Sequence, residues 1–197
     1  NLDFPHVMLR AKAVKLKQGQ VKGRDKILTS TDMVGKLAGI PVVSNIVNAV
    51  NRSELGREAL ESFLEVHPKA RLPEYQSNTL RKRLAGKRRA VAQGKPAGRT
   101  TGKVALFATC YGNYNEPHLG EDLAAVLEHN GIPVTIAEKE RCCGMPKLEL
   151  GDLESVAKAK EANIPVLAAM VDEGWDIMAV VPSCVLMFKQ ELPLMFP

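Results

Sequence analysis

KVALFATC, residues 103–110, is the segment from which we predict the fold of this chain of 197 residues. It is a short, partly β-branched apolar run that ends in a cysteine, and similar runs follow at residues 132–137 and 176–181. Runs of this length and composition are typical of buried β-strands. We therefore predict that each run forms one strand of a sheet.

Helical segments separate the predicted strands. Asn115 is a candidate N-cap for a helix that ends at Asn130-Gly131, a common helix stop. A longer helix is predicted over residues 150–173, starting near Gly151 or Asp152. Its predicted buried face comprises Ala157, Ile164, Leu167, Ala168 and Val171. Alternating strands and helices imply a parallel sheet with right-handed crossovers, and hence an α/β, Rossmann-like fold.

All four cysteines of the chain follow these predicted strands. Cys110 follows the first strand, the triplet Cys142-Cys143-Gly144 follows the second, and Cys184 follows the third as part of Pro182-Ser183-Cys184. The carboxyl ends of parallel strands share one edge of a sheet, where open α/β sheets place their ligand crevice. We therefore expect the thiols to lie close together.

Clustered thiolates are ligands for iron–sulfur clusters or zinc. Gly144 would allow close backbone approach, and the basic residues Lys139, Arg141 and Lys147 flank the cysteine pair and can lower thiol pKa values. Three alternatives stay open at this point: cysteines that are merely buried at strand ends, a zinc site with four cysteines, and a dithiol redox site without metal. The paired C-x₂₋₄-C spacing usual for structural zinc is absent.

The segments before the first strand differ in character from the rest. Residues 1–75 are predicted to form a helical region, with Ser53 as the N-cap of one helix. The predicted buried face of that helix comprises Leu55, Ala59, Leu60, Phe63 and Leu64. Residues 76–102 are predicted to be a basic linker with one helical turn near residues 79–84, since no Asp or Glu occurs from Gln76 to Asn115. The alternative is a basic surface for a partner, anionic lipid or nucleic acid, although aromatic residues for base stacking are missing.

Composition limits the remaining possibilities. Four cysteines without a visible signal peptide indicate a reducing compartment. No apolar stretch reaches the roughly 18–20 residues that span a bilayer. The first strand is followed by Cys-Tyr-Gly-Asn-Tyr and not by G-x-G-x-x-G, which argues against dinucleotide binding. Because the chain begins at Asn1 and ends at Pro197 directly after an apolar run, we expect it to be a fragment of a longer protein.

The sequence segments around the cysteines resemble those of one protein family. They are FATCYGNYNEPHLGEDL, HNGIPV, CCGMPKLELGDL and VPSCVLMFKQELP. Residues 103–197 resemble the cysteine-rich CCG domain found in the B subunit of heterodisulfide reductase and in related iron–sulfur subunits of glycolate and lactate oxidation. These segments are most similar to the branch of the family that contains the C subunit of anaerobic glycerol-3-phosphate dehydrogenase. Residues 1–75 resemble, less specifically, the helical segment that follows a ferredoxin-type module in those proteins.

The resemblance implies iron–sulfur electron transfer. In the family, two CCG domains lie in tandem and their cysteines bind a cubane or non-cubane cluster of the 4Fe–4S type. Carried over, the resemblance implies that Cys110, Cys142, Cys143 and Cys184 are the metal and cofactor ligands. The family pattern often ends in C-x-x-C, whereas this chain has Met187 at the last position, and a thioether is a poor cluster ligand. The resemblance also implies that residues 103–197 are one incomplete CCG domain.

The leading functional hypothesis is therefore an electron-transfer subunit of a flavin-linked dehydrogenase complex, and not a catalyst alone. The resemblance implies a flavoprotein dehydrogenase subunit as donor, with a quinone or a membrane-anchor subunit as the other partner. It implies a cytoplasmic protein, peripheral at the inner face of the cell membrane, in anaerobic respiration; no nucleic-acid partner is expected.

Two alternatives are kept beside this hypothesis. In the first, the chain is a docking module that binds partner subunits or an anionic membrane through basic residues, namely Arg81, Lys82, Arg83, Lys87, Arg88 and Arg89. In the second, the cluster performs thiol or heterodisulfide redox chemistry. His118 is interpreted as a first-turn helix residue and His129 as a residue at a helix C-terminus.

Overall fold

A computed structural model describes residues 3–85, 94–138 and 140–196 of the chain. Its sheet consists of β1 (Val104–Phe107), β2 (Val134–Ile136) and β3 (Asp176–Ala179). All pairings are parallel and the strand order is β2-β1-β3, with Val104 opposite both Val134 and Asp176. The predicted α/β, Rossmann-like sheet preceded by a helical region is confirmed.

Helices account for most of the remaining described residues. They are α1 (Phe4–Lys17), α2 (Gly23–Leu28), α3 (Thr31–Ala38), α4 (Pro41–Arg52), α5 (Glu54–Leu64), α6 (Leu80–Ala85), α7 (Cys110–Tyr114), α8 (Pro117–His129), α9 (Met145–Leu150), α10 (Leu153–Asp172) and α11 (Pro182–Leu186), followed by a π-helical turn (Met187–Glu191) and α12 (Leu192–Met195).

The central strand β1 divides the core into two clusters. Its residues are all buried, and successive side chains point to opposite faces of the sheet. Val104 and Leu106 pack with Ala124 of α8 on one face. Phe107 belongs to the larger cluster on the other face, which also contains Cys143 and Cys184. The cysteine-bearing loops are thus part of the hydrophobic core.

The N-terminal helices pack against this α/β unit at close range. Gly151, which ends α9, lies against the backbone of α1: a Cβ there would come within 2.5 Å of the Ala13 nitrogen. Gly39 lies against the ring of Tyr114 in α7, 3.1 Å from the position a Cβ would take, and Gly35 lies closer still. Small residues at these points allow α1 and α3 to approach the region that carries the cysteines.

Two predicted buried faces differ from those observed. In α5, the Ser53 cap is confirmed, but Leu55 and Phe63 are 80% and 83% exposed. The helix instead buries Arg57, whose guanidinium donates hydrogen bonds to the carbonyl groups of residues 67, 68 and 70. A charged side chain that satisfies loop carbonyls has replaced the apolar stripe in fixing the orientation of this helix.

The second is the predicted face of α10, of which Leu167 is buried as expected. The predicted start is confirmed, because Asp152 caps α10 by accepting a hydrogen bond from the Ser155 amide. The residues buried are Val156, Asn163 and Leu167, while Ile164 and Val171 are 40% and 54% exposed. Because α10 has apolar residues around most of its circumference, periodicity did not determine which face packs inward.

Smaller differences concern two loops. Asn115 ends α7 and does not begin α8, whose N-cap is Glu116. The predicted turn near residues 79–84 is observed as α6, with Leu80 only 1% exposed and packed on α8. This part of the predicted linker is therefore packed and not a solvated connector. Within the described ranges, no single helix is long and apolar enough to cross a membrane; α3 and α4 meet those criteria only together, with a 109° bend between them.

Candidate metal centre at the carboxyl edge of the sheet

The structure brings the cysteines to the carboxyl edge of the sheet. Cys110 is the first residue of α7 directly after β1, Cys142 and Cys143 lie between β2 and α9, and Cys184 lies in α11 after β3. The Sγ atoms of Cys110 and Cys142 are 3.8 Å apart. All four thiols are free; Cys143 and Cys184 are buried, and the first two are partly exposed.

The four thiols interact through hydrogen bonds in the order Cys110, Cys142, Cys143, Cys184. Hydrogen bonds from the thiols of Cys110 and Cys143, together with the backbone N–H of Gly144 and the Thr31 hydroxyl, lower the pKa of Cys142. The hydrogen bond to Cys142 and burial raise the pKa of Cys110, and hydrogen bonds to Cys142 and Cys184 raise the pKa of Cys143. Burial and the neighbouring thiols therefore oppose more than one thiolate at this site unless positive charge compensates.

Backbone geometry fixes where two of the cysteines point. Thr109 has φ 58° and ψ 156°, a conformation that is rare outside glycine, and its buried hydroxyl accepts a hydrogen bond from the Gly112 amide at 2.8 Å. Gly144 has φ 96°, with no atom closer than 3.5 Å to the position of a Cβ. Glycine is thus required at 144 for its conformation and not for lack of space.

Asn163 holds the loop that carries the cysteine pair. It is fully buried in α10, its Oδ1 accepts from the Arg141 amide at 2.7 Å, and its Nδ2 donates to the Cys142 carbonyl at 3.1 Å. Sequence reasoning missed this residue. The available signal was an asparagine seven positions after Val156 within an apolar helical pattern, where a buried amide needs hydrogen-bond partners.

An ion pair between the buried Glu140 carboxylate and the partly exposed Arg81 side chain supports the same loop. Glu140 Oε1 accepts from the Ala108 amide at 2.6 Å and lies 2.7 Å from Arg81 Nη2 in α6. Burial raises the pKa of Glu140 to about 7, against the opposing effect of Arg81. Arg81 also donates to the Ala137 carbonyl at 2.9 Å. Its charge is therefore used within the fold.

The other basic residues of the docking hypothesis divide into two groups. Lys82 donates to the Ser77 carbonyl at 2.7 Å, and Arg83 pairs with Glu121 at 2.7 Å. Lys87, Arg88 and Arg89 lie outside the described residues, as does Lys139 beside the cysteine pair.

Polar and basic residues surround the open side of the thiols. A pocket of about 270 Å³ is lined by Cys142, Gly144, Arg141 and Lys147 and by the N-terminus of α3. Lys147 Nζ donates to the Ser30 hydroxyl at 2.9 Å. The basic residues make this pocket suited to a group with negative charge.

The remaining candidates are not brought to the thiols as ligands. Met187 is fully buried and packs in the core cluster with Cys143 and Cys184. His118 pairs with Glu116 at 3.3 Å on the exposed start of α8, and His129 is the last residue of that helix. Among the described residues, no three His, Cys, Asp or Glu side chains surround a point as one metal ion would require.

The sheet, its carboxyl edge and the CCG loop define a domain class. Residues 104–189 match the family model described as a cysteine-rich domain, CCG. The matched stretch contains all four cysteines, and the CCG domain predicted from the sequence is thus confirmed for residues 104–189. No solved structure matches the chain.

Several curated proteins are similar to this chain. The C subunit of anaerobic glycerol-3-phosphate dehydrogenase from Escherichia coli (strain K12) is 29% identical over 171 residues, covering 86% of this chain and 41% of that protein. The B subunit of fumarate reductase (CoM/CoB) from Methanothermobacter marburgensis is 30% identical over 92 residues, covering 46% and 18%. Lactate utilization protein A of Bacillus cytotoxicus is 35% identical over 88 residues, covering 45% and 35%. The chain spans about two fifths or less of the length of these relatives.

Proposed function

We propose that this chain is part of an iron–sulfur electron-transfer subunit, and that Cys110, Cys142, Cys143 and Cys184 hold the cluster. The observation that carries the proposal is the convergence of these thiols at the carboxyl edge of a CCG domain, with two of them 3.8 Å apart. A cluster offers several iron atoms to separate thiolates, which suits thiols that come from three different loops at one sheet edge.

The residues at the site match what such a cluster needs. Bound iron supplies the positive charge that keeps neighbouring thiols deprotonated, and it accepts and releases single electrons. The Gly144 amide and the Thr31 hydroxyl form hydrogen bonds to the thiol sulfur of Cys142. The burial of Cys143 and Cys184 excludes water from one side of the site. We propose the 4Fe–4S type, either cubane or non-cubane, because the resemblance to the CCG family implies it.

The names of the relatives extend the proposal to a complex. One is a subunit of a glycerol-3-phosphate dehydrogenase and another is a subunit of a fumarate reductase. On this basis we propose that the chain accepts electrons from a flavoprotein dehydrogenase subunit and passes them toward quinone. Transfer to quinone would require the chain to work at the cytoplasmic face of the cell membrane, through a partner or peripheral contact.

Anaerobic iron and acid-labile sulfide analysis, combined with EPR, tests the proposal on the full-length protein. The test variant is Cys142→Ser/Cys143→Ser, and the matched control is His118→Ser, which removes an exposed nitrogen donor on the neighbouring helix. We expect the double variant to lose iron and to lose or change one reducible EPR signal, with any other clusters intact. The control should retain both iron and signal.

Unchanged metal content and an unchanged signal in the double variant would refute the cluster assignment. The cysteines would then be structural, and the docking alternative would become the better explanation. Charge reversal at Lys87, Arg88 and Arg89 would test that alternative, because it should abolish assembly with partner subunits while the cysteine variant assembles normally.

A further inference from the structure

The N-terminal helical region contributes a side chain directly to the cysteine pair. Thr31, the first residue of α3, places its hydroxyl 3.4 Å from Cys110 Sγ and 3.8 Å from Cys142 Sγ. The hydroxyl oxygen and the two sulfur atoms, which are 3.8 Å apart, form a triangle. Thr31 lies far outside the matched CCG domain in sequence, so the domain alone does not contain this contact.

The position of Thr31 is fixed on both sides. Towards the C-terminus of α3, Gly35 and Gly39 pack directly on the ring of Tyr114 in α7, the same short helix that begins with Cys110. On the N-terminal side, the Ser30 hydroxyl accepts a hydrogen bond from Lys147 Nζ in α9, which follows the cysteine pair. The Thr31 hydroxyl is thus held between α7, which begins with Cys110, and α9, which follows Cys142 and Cys143.

Once both sulfurs bind metal as thiolates, the hydrogen bond between the Thr31 hydroxyl and sulfur can have only one direction. A thiolate has no proton, so the hydroxyl must donate and the sulfur must accept. The peptide dipole at the N-terminus of α3 adds partial positive charge at the same place. The nearby carboxylate of Asp32 is paired with Lys36 at 2.9 Å, which offsets its negative charge.

We propose that Thr31 is a positioning residue of the cysteine site, whose hydroxyl donates its single proton to the Cys110 thiolate, with Cys142 as the more distant acceptor, and raises the reduction potential of the cluster that these thiolates hold. This inference rests on the proposed function of the cysteines and extends the site to the N-terminal helical region. The physical reason is that reduction adds negative charge to the cluster and its ligands, and a donor to sulfur stabilises the more negative state.

An EPR-monitored redox titration of the full-length protein tests the inference with two variants. Thr31→Val keeps the shape of the side chain and removes the donor, whereas Thr31→Ser keeps the donor. We expect the valine variant to be harder to reduce by about tenfold in the ratio of reduced to oxidised cluster at a fixed potential, or about 59 mV for one electron. The serine variant should titrate close to the wild type.

Iron content and melting temperature should be the same in the wild type and both variants, since the potential is the quantity that Thr31 sets. The inference is overturned if the valine variant has the wild-type midpoint, or if serine and valine shift it equally. A wild-type signal that disappears in Cys142→Ser/Cys143→Ser while Thr31→Val has no effect refutes this inference alone. A signal independent of Cys142 and Cys143 refutes the proposed function and this inference together.

Discussion

Replacing Asn163 with alanine should destabilise the loop that carries the cysteine pair. Asn163 is fully buried and makes hydrogen bonds of 2.7 Å and 3.1 Å to the backbone of Arg141 and Cys142. Each hydrogen bond contributes about 1 kcal/mol net, and the Cys142 carbonyl loses its buried partner in addition. Alanine recovers at most about 0.7 kcal/mol through its higher helix propensity. We expect the free energy of unfolding to fall by about 2–3 kcal/mol.

Ile164→Ala is the matched control because it makes a similar change of helix propensity one position along α10. Ile164 is 40% exposed and lies off the buried face, so its truncation should cost about 1 kcal/mol or less. For a chain of this size, the Asn163 variant should lower the melting temperature by roughly 4–12 °C, from about 2–4 °C per kcal/mol.

Thermal unfolding by circular dichroism measures the overall loss, and hydrogen exchange locates it. The Arg141 amide loses its acceptor in Asn163→Ala and should exchange faster, whereas it should be unaffected in Ile164→Ala. If the two variants melt at the same temperature, or if exchange at Arg141 does not change, then Asn163 does not hold the loop as described.

Three further predictions address other contacts of the fold. Gly35→Ala forces a methyl group against the Tyr114 ring and should cost about 1–3 kcal/mol, whereas Gly23→Ala, with open space around it, should not destabilise; melting temperatures distinguish them. Arg81→Met leaves a buried carboxylate unpaired and should lower stability by about 1–3 kcal/mol, and adding Glu140→Gln should recover part of that loss in a double-mutant cycle. Hydrogen bonds to two carboxylates raise the pKa of His6 in the folded protein. Protonated His6 therefore stabilises the fold below pH 6.5, and this stabilisation is lost as the pH rises through the higher folded pKa. The melting temperature of His6→Gln should fall less over that pH interval than that of the wild type.

The sheet and its functional edge could be predicted from the sequence because strand polarity alone determines them. Each apolar run is short, is bounded by turn or helix signals and is followed by a cysteine, so a parallel arrangement brings Cys110, Cys142 and Cys184 to one edge. Helix ends were also legible where capping is local, as at Ser53 and Asp152.

The hydrogen bonds that hold the site could not be predicted in the same way. Thr31 and Asn163 act across long sequence separations, and nothing in their immediate neighbours indicates which backbone or sulfur atoms they will meet. The face of α10 was predicted only at Leu167, because a helix with apolar residues on most sides can pack several alternative faces against the core. Polar residues that became buried, Asn163 and Arg57, decided the packing that hydrophobicity left open.

The glycine contacts at the boundary between the helices and the sheet affect how the molecule melts. At Gly35 and Gly151, backbone meets ring or backbone without an intervening layer of side chains. At such close contacts, the N-terminal helices cannot separate from the α/β unit unless the packing of both is disrupted. Heating should consequently separate the N-terminal helices and disorder the thiol loops in one cooperative event. Calorimetry would then show a single heat-absorption peak for residues 1–197 and not one peak for each region.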